Sequence, residues 1–201
     1  MRSRHGLTLM EVVVTLVVAG LAMASGFAAL SVLVDRRAEA TETLDRALAA
    51  AELRQSLEQW IGSAELTIEE DAVEFRGLDG DYRGQPDDML SVRTNAFTTA
   101  SQAGSSLRLF IDRSDSTSAR GLTLEVLNPG ELTARYFELD PHVTSLDIRY
   151  LSGHLGTREW SSSWVSSTVL PIAAELTLRS SPADSLSALL RLPILIPVNA
   201  R

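Results

Sequence analysis

The first long pattern in the chain is a lack of charge. From Val12 to Val34 the side chains are apolar, broken only by Thr15, Gly20, Ser25, Gly26 and Ser31. Such a run meets the roughly 20 residues that a helix needs to cross a hydrocarbon core of about 30 Å. Charge returns at Asp35, Arg36 and Arg37, yet the helical signal continues. Residues 35–61 contain neither proline nor glycine and are mostly Ala, Leu, Glu, Arg and Gln, which are strong helix formers. Leu44, Leu48 and Ala51 recur at helical spacing, as do Leu53, Leu57, Trp60 and Ala64. This predicts an amphipathic half-helix lying on a globular core, with Asp45, Arg46, Glu52, Arg54 and Glu58 left for water. One helix from Leu7 to about Ile61 would be on the order of 80 Å long at 1.5 Å per residue. Gly62 and Ser63 end it, and Trp60 is read as core packing.

After Ser63 the period changes to alternation, the pattern of half-buried strands. The segments are Ala72–Gly77, Met89–Thr94, Ser106–Asp112, Gly121–Asn128, Glu131–Leu139, Val143–Leu151, Ala173–Arg179 and Leu189–Ile196. Asn128-Pro129-Gly130 is a strong turn between two of them and predicts a hairpin, and Asp140-Pro141 and Ser152-Gly153 punctuate the next turns. Short turns between strands predict antiparallel sheet packed on the amphipathic half-helix, an α+β fold. The pattern does not say whether the strands form one sheet or two.

Composition narrows the chemistry. With 201 residues there is room for the apolar helix and one ordinary domain. The chain has no cysteine, so the domain must rely on its core rather than on disulfides. The formal net charge is -8 with no basic block, which gives nucleic-acid binding little support. Asp79, Asp81, Asp87 and Asp88 cluster around Gly80 and Gly84. Oxygen-rich loops can hold calcium, but the spacing does not match the EF-hand loop. Asp and Gly are ordinary turn residues, so calcium is not expected there. His142 and His154 have no second histidine at metal-ligand spacing, and no cofactor or metal is expected. No phosphate loop, His-Glu-x-x-His or Gly-x-Ser-x-Gly occurs, so no enzymatic activity is expected.

The anomaly is Glu11, at the head of the apolar run. An ionisable group at membrane depth costs about 2.5–3.5 kcal/mol on insertion scales and by default implies a partner. Before it stands a short basic leader, Met1-Arg2-Ser3-Arg4-His5, which would stay cytoplasmic by the positive-inside tendency. Gly6-Leu7-Thr8-Leu9-Met10-Glu11 resembles the processing site of type IV pilin-like precursors: Gly, a large apolar residue, Thr, Leu, an aliphatic residue, then Glu. The resemblance implies that a prepilin peptidase cuts between Gly6 and Leu7, removing residues 1–6, and that the new amine of Leu7 is methylated. Leu7 stands where phenylalanine is usual. The amine would lie about one helical turn from Glu11, or near Glu11 of a neighbouring subunit, and would keep that carboxylate ionised. Glu11 is thereby assigned to subunit assembly. Two plainer readings remain: an ordinary signal peptide cut near Ala22-Met23-Ala24, giving a secreted binding protein, and a single-pass anchor.

A second resemblance covers the strand region. Tyr150, Gly153, Trp160, Trp164 and Leu170-Pro171, followed by Ala173–Arg179, are similar to the C-terminal half of J-type minor pseudopilins of the type II secretion system. Phe75-Arg76-Gly77 and Asp88–Thr94 resemble their early strands. The implied layout is 1–6 leader, 7–34 transmembrane and assembly helix, and 35–201 periplasmic domain, anchored by a single pass in the inner membrane. The implied role is a minor subunit at the pseudopilus tip. It would assemble with I- and K-type minor pseudopilins and the major pseudopilin, start the filament and help export proteins, touching cargo. A minor pilin of a type IV pilus or DNA-uptake filament shares the processing site. For Trp160 and Trp164 two uses stand open: core or hairpin packing, and exposed anchors for a partner.

Overall fold

The computed structural model describes residues 9–66, 75–96, 104–114, 118–153, 158–180 and 188–198. The chain divides into two compact units, Met1–Arg46 and Ala47–Arg201. Helix α1 (Leu9–Gly62) contributes to both. In the first unit its side chains are exposed throughout the described residues, as expected of a helix without a protein core to cover it.

In the second unit the last turns of α1 are amphipathic. Ala50, Leu57 and Ile61 are buried, and Leu53 and Trp60 pack against the core. Residues that face the core therefore recur at 50, 53, 57, 60, 61 and 64, close to the helical repeat. This corrects half of the expected stripe: Leu44, Leu48 and Ala51 are exposed. At about 100° per residue they fall roughly opposite the buried face, so equal hydrophobicity on two sides left the register ambiguous. Gly62 ends α1 as expected. Ser63 then fixes the end to the sheet, its hydroxyl lying 2.6 Å from that of Thr94, while Ala64 bridges Thr94.

The strands are β1 (Phe75–Leu78), β2 (Asp81–Tyr82), β3 (Gln85–Pro86), β4 (Met89–Thr94), β5 (Ser105–Asp112) and β6 (Gly121–Leu127). Then follow β7 (Arg135–Asp140), β8 (Val143–Ser152), β9 (Glu159–Ser161), β10 (Trp164–Ser166) and β11 (Ala173–Ser180). Helix α2 (Ala188–Arg191) precedes β12 (Ile194–Pro197). Among the described residues there are two main sheets: six strands in the order β10-β1-β4-β5-β6-β7, and four in the order β12-β11-β8-β9. Every pairing within them is antiparallel. The long apolar helix and the antiparallel sheets agree with the α+β expectation.

Several boundaries differ from the pattern. Residues 131–134 do not pair, because Glu131 N–H donates back to the Asn128 carbonyl in the turn, and β7 starts only at Arg135. The stretch expected as one strand from Leu189 is the helical turn α2 followed, after Pro193, by β12. The short strands β2, β3, β9 and β10 had no alternating signal long enough to read. β2 and β3 form a two-residue hairpin whose corner, Arg83 (φ 55°) and Gly84 (φ 77°), is left-handed at both positions, the geometry of the tight hairpin turn.

One core joins these layers. It takes Phe75, Leu90, Leu109 and Leu124 from the six-stranded sheet with Leu146, Ile148, Tyr150, Leu176 and Ile196 from the other, under Leu57 and Ile61 of α1. Between α1 and β4–β6 remains an apolar void of about 10 Å3, lined by Leu57, Trp60, Ile61 and Leu107 among others. That is about the least that holds one water, and an apolar lining gives water no partner.

Candidate functional site

The first candidate is the head of α1. Gly6 and Leu7 lie outside the described residues. Glu11 sits in the first turn, where a carboxylate is favoured by the positive end of the helix dipole. Behind it the helix is long and apolar enough to cross a membrane. The hydroxyls that interrupt the apolar run are satisfied within the helix. Thr15 donates to the Glu11 carbonyl (2.7 Å), Ser25 to Ala22 (2.9 Å) and Ser31 to Ala28 (3.0 Å). In hydrocarbon an unbonded hydroxyl would be costly, and this self-bonding would lower the cost of placing these residues there. Glu11 is thus the one ionisable side chain in the described run from Leu9 to Val34.

The two tryptophans do not sit side by side in one sheet. Trp164 on β10 pairs across from Gly77, packs against the core, and donates its indole N–H to the Val169 carbonyl at 3.1 Å. Trp160 on β9 pairs across from Leu151 in the other sheet. It stays 38% exposed, with the Arg149 guanidinium 5.5 Å from its ring centre. Trp164 is therefore a packing residue, and Trp160 keeps an open face.

Three of the four clustered aspartates are engaged by protein groups. Asp81 accepts the Gly84 N–H at 2.9 Å, closing the β2–β3 hairpin. Asp87 pairs with Arg113 at 2.5 Å, whose guanidinium also donates to the Thr144 carbonyl and covers the Tyr82 ring at 4.3 Å. Asp88 is buried and accepts two backbone amides, Gly80 at 3.0 Å and Ile148 at 2.6 Å. It ties the β1–β4 connection to β8, hence one main sheet to the other. Burial raises its pKa above 3.8, and the two amides oppose that rise without cancelling it. Among the described residues no group of three or more His, Cys, Asp or Glu is placed to hold a metal. His142 is exposed, its backbone N–H bonded to Asp140, and His154 lies outside the described residues.

Sequence reasoning named Tyr150 only as part of the second resemblance and gave its side chain no role. Tyr150 is fully buried between the sheets, edge-on to Phe75 at 6.0 Å between ring centres, and its hydroxyl has no hydrogen-bond partner among the described residues. Burial foremost, then the charge of Asp88, pushes its pKa far above 10.0. Gly77 makes room for it, since a β-carbon there would overlap the phenol. A tyrosine at the end of an alternating strand carries no sign that its hydroxyl will be orphaned.

No protein-family model matches this chain, and no curated protein matches it.

Proposed function

We propose that this chain is a pilin-like filament subunit of the minor pseudopilin kind, J-type, serving type II protein secretion. The observation that carries the reading is Glu11, the single acid at the head of an exposed apolar helix whose hydroxyls are bonded internally. In this reading the prepilin peptidase removes residues 1–6, the helix spans the inner membrane, and the strand domain lies in the periplasm. The amine of Leu7 then meets Glu11 of its own or a neighbouring chain. One desolvated opposite-charge pair fixes axial register between packed helices, as a buried polar pair does in a coiled coil. The exposed apolar side chains Leu48 and Ala51 lie away from the core and extend that packing surface beyond the membrane. The subunit joins I- and K-type minor pseudopilins and the major pseudopilin, starts the filament and aids export, without catalysis and without a cofactor. A minor pilin of a type IV pilus or DNA-uptake filament uses the same helix and the same acid.

Intact and N-terminal mass spectrometry of the protein from native membranes tests this. A chain that starts at methylated Leu7 supports it. A soluble chain that starts at Ser25 lacks Glu11 and overturns it, and an uncut Met1 reduces the helix to an anchor.

A further inference from the structure

Asp79-Gly80 joins β1 to β2, and it is the one Asp-Gly pair in the sequence, which has no Asn-Gly. Asp-Gly is the aspartyl pair most prone to isomerise, because glycine puts no side chain in the way of attack by its own nitrogen. In that reaction the Gly80 nitrogen bonds to Cγ of Asp79. The amide hydrogen leaves with a carboxyl oxygen as water, and a five-membered imide closes. Water then opens the imide at the former main-chain carbonyl. The product, isoaspartate, has the same mass, but the main chain now runs through the old side chain and is one carbon longer.

The fold places this reactive pair at the joint between the two main sheets and holds it there. Asp79 is exposed, so water reaches its carboxyl group. Gly80 is fixed through both of its main-chain polar groups. Its N–H donates to Asp88 Oδ1 at 3.0 Å, and its carbonyl accepts the Asp87 N–H at 2.9 Å. A β-carbon at Gly80 would overlap the Asp87 carbonyl, so the close approach that fixes the joint also demands the reactive residue. Asp88 is only 2% exposed. Its other oxygen takes the Ile148 N–H at 2.6 Å, and its own N–H donates to the Leu146 carbonyl at 3.0 Å. Held on β8 in this way, Asp88 does not follow Gly80 when Gly80 moves.

We propose that Asp79 is a latent isoaspartate site and that Asp88 guards it by holding the Gly80 nitrogen. To reach Cγ of Asp79 that nitrogen must leave Asp88 and give up its proton, and the packing of Gly80 on the Asp87 carbonyl resists the turn. Reaction therefore runs through locally opened states of the joint. It is also one-way. With one more carbon between residues 79 and 80, the Gly80 N–H no longer meets Asp88, and a buried carboxylate loses one of its two donors. A transient opening between the β1–β4 connection and β8 becomes a lasting one.

The test uses the full chain in detergent micelles, aged for weeks at neutral pH. Peptide mapping with electron-transfer fragmentation distinguishes isoaspartate from aspartate at equal mass. A synthetic peptide of residues 76–84 carries the same pair without Asp88. Asp79 is expected to convert at least about tenfold more slowly in the chain than in the peptide, the factor that a hydrogen bond to a charged group supplies. Asp88→Ala should raise the rate severalfold toward that of the peptide. Asp88→Asn, with a single acceptor oxygen, should fall between, and serves where the alanine chain does not fold. Leu109→Ala empties part of the core but keeps the Asp88 bonds, and should leave the rate near that of wild type. Equal rates in chain and peptide, no rise on replacing Asp88, or an equal rise in Leu109→Ala overturns the proposal.

Discussion

Replacing Tyr150 by phenylalanine should make the protein more stable. The ring stays in place, edge-on to Phe75, and only a hydroxyl that is fully buried and unbonded is lost. A buried polar group without a partner costs about 1–3 kcal/mol. Removing one oxygen leaves little new space, so a net gain of about 1 kcal/mol is expected. For a chain of 150–250 residues that is about 2–4 °C in Tm. Urea unfolding of the full chain in detergent, followed by tryptophan fluorescence, should show a higher midpoint with unchanged slope, the mark of altered stability rather than altered compactness. A second readout is pH. The folded pKa of Tyr150 lies above 10.0, so above that value the unfolded phenol loses its proton first. Wild-type stability therefore falls as the pH rises past about 10, and the contribution of Tyr150 to that fall vanishes in the phenylalanine chain. A loss of about 1 kcal/mol or more in the variant would mean that the hydroxyl is bonded after all, and the reasoning would fail.

Three further outcomes follow from named contacts. Gly77→Ala should destabilise by about 1–3 kcal/mol through overpacking against Tyr150, and adding Tyr150→Leu should recover part of it; additive effects in a double-mutant cycle of urea midpoints would refute direct contact. Asp88→Ala orphans the amides of Gly80 and Ile148 and should cost at least about 2 kcal/mol, at about 1–3 each. Because the folded pKa of Asp88 is raised above 3.8, its protonated form favours the fold below that value, and this contribution is lost as the pH rises through the raised folded pKa; a wild-type profile whose Asp88-dependent part runs the other way would count against it. Glu11→Ala should still insert in the membrane but co-purify with partner subunits at less than a tenth of the wild-type yield, taking the loss of a desolvated charge pair as at least about 1.4 kcal/mol; wild-type recovery would remove its assembly role.

What could be read beforehand follows from how local each signal is. The Val12–Val34 run, the alternation of Leu107, Leu109 and Ile111, and the Asn128-Pro129-Gly130 turn are each fixed within a few residues, and the structure keeps them as helix, strand and hairpin corner. The face of α1 was half legible: Leu57 and Trp60 pack as the spacing says, whereas Leu44 and Leu48 match the same period on the other side. Only the position of the sheet decides between the two faces. Strand order was not legible, since alternation shows that a strand is half-buried and not which strand lies beside it. The aspartates read alike as turn residues, yet Asp81 closes a hairpin and Asp88 joins two sheets. That difference arises from Ile148, far away in the chain.

The pairing of β1 also governs when the fold can form. Phe75 lies beside Ser166, so one neighbour of an early strand arrives only after β4 through β9 have been made. During synthesis β1 can pair with β4 soon after it appears, but its other side stays open until β10 emerges. Closing so distant a pair costs chain entropy before any contact repays it, and such topologies fold slowly. The same eight-residue passage from β9 to β10 leaves one sheet and completes the other. The six-stranded sheet is therefore complete at β10, while the other still waits for β11 and β12, and a chain cut short before Trp164 would leave the flank of β1 that β10 covers open to other molecules.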